Sequence, residues 1–155
     1  MRVKLRPASA LGWVCVALTF VACARSEAQA AEIKLQTQLV WGTDDSTPPA
    51  GKEYKPVEPA IQKKLKELPL KWKNYFEVRR TDFAVVPAVM KKVPLSEKCE
   101  LNVSNPSGST FEVALIGKGK EVVKRTQSLP KGEILVLGGN APNATAWLVI
   151  LKRIE

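Results

Sequence analysis

Residues 98–126, KCELNVSNPSGSTFEVALIGKGKEVVKRT, decide how this chain folds. Cys99, Leu101 and Val103 alternate with polar neighbours. Asn105-Pro106-Ser107-Gly108 then supplies a turn, and the alternation resumes at Phe111, Val113 and Leu115. Gly117-Lys118-Gly119 predicts a hairpin turn before a shorter charged strand, Glu121–Thr126. An apolar residue at every second position puts one face of an extended strand in a core and the other in water. Three such runs separated by turn residues predict antiparallel strands.

The same punctuation continues outward. Downstream, Leu129-Pro130-Lys131-Gly132 turns the chain, Ile134–Leu137 is apolar throughout, and residues 138–143 read as a loop. Thr145–Ile154 (TAWLVILKRI) is apolar on both faces around Trp147–Leu151, which predicts a central strand. Upstream, Val89–Leu95 contains Pro94, as an edge strand does. Phe83–Val86 predicts a short strand, and Trp72–Arg80 an aromatic-rich one with Phe76 and Val78 on one face. Residues 33–41 predict a half-buried strand, with Ile33, Leu35, Leu39 and Trp41 inward and Lys34, Gln36 and Gln38 outward. Residues 42–59 break the pattern with Pro48, Pro49, Pro56 and Pro59 and predict a long Pro-rich loop. Asp44-Asp45 lies in it without the ligand spacing of a calcium loop, so it reads as a solvated turn.

One short helix is expected over about residues 59–68. Pro59 suits the first helical position, and the Glu58 carboxylate complements the helix N-terminus. Ile61, Leu65 and Leu68 form an i, i+4, i+7 stripe with Lys63, Lys64 and Lys66 off it, and Pro69 ends the run. The expected fold is therefore mostly β: an antiparallel β-sandwich, immunoglobulin-like in first preference, with one short helix. Residues 31–155 suffice for one domain with its own core.

Residues 1–30 read differently. Arg2, Lys4 and Arg6 precede an uncharged run from Ala10 to Ala24, and Ala28-Gln29-Ala30 follows as a small-residue cleavage site. This is the pattern of a secretory signal peptide, and the apolar run is too short for a membrane span. The expected product is a periplasmic or extracellular protein beginning at Ala31, with no transmembrane segment left. Phe20-Val21-Ala22-Cys23 also resembles the lipobox of bacterial lipoproteins, which implies the alternative of a lipid anchor at Cys23.

The chain carries 24 Lys and Arg against 15 Asp and Glu. Subtracting Arg2, Lys4, Arg6, Arg25 and Glu27 leaves 20 and 14, a net charge of +6 on residues 31–155. That balance favours an envelope protein or an anionic polysaccharide or lipid surface as partner. Nucleic acid is not expected, given the export signal and the absence of a binding motif. Of three cysteines, only Cys99 lies outside the signal segment, so no intramolecular disulfide is expected, and Cys99 reads as a small buried hydrophobe. There is no histidine, which removes Ser-His-Asp and Cys-His triads and His-containing metal sites. No nucleotide loop is present, and neither catalytic residue, metal nor cofactor is expected.

The candidate contact residues are Lys63, Lys64, Lys66, Lys71, Trp72, Lys73 and Tyr75, where cations interleave with aromatic rings. The expected function is a non-enzymatic binding or structural domain of the envelope. Two other classes stay open: a small hydrolase using paired carboxylates, for which no pair stands out, and an assembly subunit that exchanges a β-strand, with residues 33–41 as the candidate donor.

Overall fold

Residues 31–140 and 145–155 are described by a computed structural model, and the expected signal segment and Cys23 lie outside them. The described residues form β1 (Ile33–Thr43), β2 (Lys55–Pro56), α1 (Pro59–Lys66), β3 (Asn74–Val85), β4 (Lys91–Ser96), β5 (Cys99–Ser107), β6 (Thr110–Gly117), β7 (Lys120–Ser128), β8 (Ile134–Asn140) and β9 (Ala146–Arg153). They make two antiparallel sheets, one ordered β2-β3-β1-β9-β8 and the other β4-β5-β6-β7. The alternating residues of 98–126 become the β5–β6–β7 meander. Leu101, Val103, Phe111, Val113 and Leu115 pack from this sheet against Leu35, Leu39, Leu135, Leu137, Val149 and Leu151 of the other. The architecture is a sandwich, mostly β, with one short helix. Its four-stranded sheet runs in chain order, unlike the ABED and CFG sheets of the immunoglobulin fold.

Sequence chemistry explains the hairpins. Lys118 and Gly119 both have positive φ, 50° and 75°, as a two-residue turn matching strand twist requires. At the other end of β6, β5 extends to Ser107 and the turn falls on Gly108-Ser109. Buried Asn105 holds it: its Nδ2 donates to the carbonyls of Gly108 (3.0 Å) and Thr110 (2.7 Å). Pro94 sits on edge strand β4, and β9 lies centrally between β1 and β8, as expected.

Four expectations change. First, β1 is buried on both faces from Thr37 onward, because it lies between β3 and β9 and α1 roofs its outer side. Gln38, expected in water, is 1% exposed; its Nε2 donates to Gln36 Oε1, and Gln36 Nε2 donates to Asp82 Oδ1. A strand paired on both sides is not a free donor. Second, the strands expected at 72–80 and 83–86 are one continuous β3, with Thr81 and Asp82 paired to Thr37 and Gln36. A bulge makes Val78 the extra residue, and it packs against the core between the sheets. Third, the Pro-rich loop shortens, since Gly42 and Thr43 finish β1 and Lys55–Pro56 pair with β3. Fourth, Gly138 to Asn140 extend β8 rather than form a loop, because β9 offers partners for them.

The helix covers Pro59–Lys66, with Ile61 and Leu65 buried and Leu68 just beyond its end. Glu58 makes no side-chain cap. Its carboxylate instead meets Arg80 of β3 at 2.6 Å, and Arg80 also grips Glu77 at 2.6 Å. The Arg80 guanidinium is held more firmly protonated by its hydrogen bonds to Glu77 and then Glu58. Beneath α1, Val40, Val57, Ile61, Leu65, Tyr75, Ala146, Leu148 and Ile150 form a second apolar cluster.

Candidate functional site

The second cluster leaves an open groove on its β8 side. One part, about 520 Å³, is lined by Lys64, Glu67 and Leu68 from the helix region, Ile134–Val136 from β8, Glu133, and Gln127 from β7. A second part, about 260 Å³, shares Leu68 and Val136 and continues along Pro69, Leu70, Trp72, Gly138 and Leu148. The shared residues make the two parts one groove, polar at the Glu133 end and apolar at the Trp72 end.

Local sequence fixes its walls. Pro69 cannot continue α1, so the chain leaves the helix and crosses the sheet as an extended segment through Leu70 and Trp72. Both of these residues pack against the cluster beneath the helix. Gly42 lets this segment lie close: a Cβ there would sit 3.5 Å from the Trp72 ring and 3.4 Å from Tyr75. Gly138 is required more strongly, because a Cβ would collide with the Leu148 side chain and stand 3.0 Å from the Trp147 carbonyl oxygen.

The residues singled out from sequence separate into three groups. Lys64 and Trp72 line the groove. Lys64 Nζ donates to the Gly132 carbonyl at 3.2 Å and pairs with Glu133 at 3.3 Å, which ties α1 to the turn before β8. Lys63, Lys66, Lys71 and Lys73 are exposed on the helix and the crossing segment. Lys66 lies about 200° round the helix from Lys64, so the three helix lysines do not form one patch. The Lys73 backbone N–H donates to Asp44 Oδ1 at 3.2 Å, and Asn74 Nδ2 donates to the Asp44 and Asp45 carbonyls. The Asp44-Asp45 turn thus anchors the crossing segment. Tyr75 leaves the candidate set: it is 3% exposed within the cluster, and burial, then Asp44, pushes its phenol above the usual range. Sequence reading missed Leu68, Val136 and Gly138. Leu68 reads as core from helical spacing, and ILVLGGN reads as a buried strand.

Other features lie elsewhere. A depression of about 560 Å³ at the hairpin tips of the four-stranded sheet is lined by residues that include Glu97, Glu100, Lys98, Lys118 and Cys99. Cys99 is half-buried and free, and burial pushes its thiol up. Among the described residues no group of three or more metal-ligating side chains comes together, and no helix is long and apolar enough to cross a membrane. No protein-family model, curated protein or solved structure matches the chain.

Proposed function

We propose that this protein is an exported, non-enzymatic binding domain of the cell envelope that engages an envelope protein or an anionic surface polymer through the groove between α1 and β8. The observation that carries this reading is the groove itself. Its floor is apolar, at Val136, Leu148 and Trp72, its polar end holds Lys64, Glu67 and Glu133, and Lys63, Lys66, Lys71 and Lys73 are exposed on the neighbouring helix and crossing segment. Apolar contact supplies affinity there, and the lysines supply selection for negative charge. The export pattern of residues 1–30 and the net charge of +6 on residues 31–155 support the same compartment and partner class.

The test is retention of the protein on immobilised envelope extract and on anionic polysaccharide, at about 50 and about 500 mM salt. Retention should fall at least about tenfold at the higher salt, and K64E/K71E/K73E should abolish it at the lower one. Retention insensitive to salt and to the triple substitution would count against the site.

A further inference from the structure

Four strands end the two sheets: β2 and β8 in one, β4 and β7 in the other. An edge strand presents unpaired N–H and C=O groups, and proteins blunt such edges with brevity, charge or proline. Three of these four edges carry that protection. β2 is two residues long and contains Pro56. β4 carries Lys91, Lys92 and Pro94. β7 carries Lys120, Glu121, Lys124 and Arg125, and Arg125 stands opposite Val113, a residue of the core face. β8 reads ILVLGGN, seven residues with neither charge nor proline. Among the described residues no other strand pairs with its outer edge, and the groove opens along it.

We propose that β8 is the docking edge for one extended segment of a partner protein, which adds to the five-stranded sheet beside β8 and carries alternating apolar residues without charge. This rests on the reading of the groove as the binding site. Two observations select the occupant. The edge has a wall on each side, Lys64, Glu67 and Leu68 on the helix side and Gln127 on the β7 side, which suits a single strand. A second copy would bring its own helix and β7 into the same space. Charge points to an uncharged segment, since Lys64 already pairs with Glu133 and Glu67 is the remaining charged residue of the lining. Backbone bonding to β8 would supply affinity, and the apolar end of the groove, at Leu68, Trp72, Val136 and Leu148, would read every second side chain.

The probe is an uncharged synthetic peptide of about ten residues, valine and threonine alternating, titrated into the full chain and followed by backbone amide NMR. The Ile134–Gly138 amides should shift, and those not already bonded to β9 should gain exchange protection. Methylating every second peptide nitrogen should weaken binding at least about tenfold in one phase and not in the other, because only alternate amides face β8. L68D in the exposed wall should weaken it about tenfold. Binding that tolerates methylation in both phases and leaves the β8 amides unmoved overturns strand addition while keeping the groove as a site. A concentration-dependent dimer with protected β8 amides overturns it in favour of a second copy. No binding at millimolar peptide overturns it and counts against the groove as well.

Discussion

The five-stranded sheet is covered on both faces over much of its area, whereas the four-stranded sheet buries one face and gives the other to water. On the first, Val40, Leu148 and Ile150 lie under α1 while their chain neighbours Leu39, Val149 and Leu151 face the other sheet. On the second, the row Lys92, Asn102, Ala114 and Lys124 crosses the outer face, and Lys124 pairs there with Glu112 at 2.9 Å. The eight residues of α1 and the crossing segment through Leu70 and Trp72 make the difference. They give the protein two apolar cores of unlike rank. One holds the sheets together, and the other holds a small roof on a sheet that is already formed.

That ranking can be broken by truncating one residue in each core. F111A, between the sheets, should cost about 3–5 kcal/mol of global stability in denaturant unfolding. L65A, under the helix, should cost about 2 kcal/mol, the low end for a buried leucine, because a short helix can re-seat over the gap. Its amide exchange should accelerate first in α1 and only later in β5 and β6. Equal costs with a shared exchange profile would show one cooperative core and erase the distinction.

A smaller effect tests the boundary between groove and sheet. G138V places a side chain where Leu148 already sits, so it should destabilise by roughly 1–3 kcal/mol by thermal melting. It should also narrow the apolar end of the groove. An unchanged melting temperature would mean that Leu148 has another place to go.

The smallest effect lies on the four-stranded sheet. Burial raises the Cys99 thiol above its ordinary 9.0, so the folded state favours the protonated form. The stability this contributes is complete below pH 9 and is lost as pH rises through the folded value. Alkylation of Cys99 at pH 8 should accordingly be slower than that of a free thiol, and C99A should flatten the stability curve above pH 9. Alkylation as fast as a free thiol's would place Cys99 in water.

Much of this was legible from residue order alone. Alternation at Leu101–Val103 and Phe111–Leu115, the Gly119 turn, Pro94 at an edge and the doubly apolar β9 each follow from local rules, because period, turn chemistry and missing donors act over a few residues. Pro59, Ile61 and Leu65 likewise announced the helix. The misread positions share a different cause. Gln38 is polar yet buried, Leu68 is apolar yet half-exposed, and Thr81-Asp82 looks like a break yet lies within a strand; each depends on what the fold places opposite it. The candidate site divides along the same line. Its lysines and Trp72 stood out as residue types, but Lys64 and Lys66 point to opposite flanks, and Tyr75 belongs to the core.

Sequence by itself determined the strands, their turns, the short helix and the basic charge, since these are properties of neighbours along the chain. The tertiary structure alone decided which strands end the sheets, that α1 roofs β1, and that the uncharged run ILVLGGN lies at an edge beside the groove under the helix. An apolar run reads the same whether it is buried on both sides or left open along one backbone edge, and only the pairing of distant strands distinguishes the two.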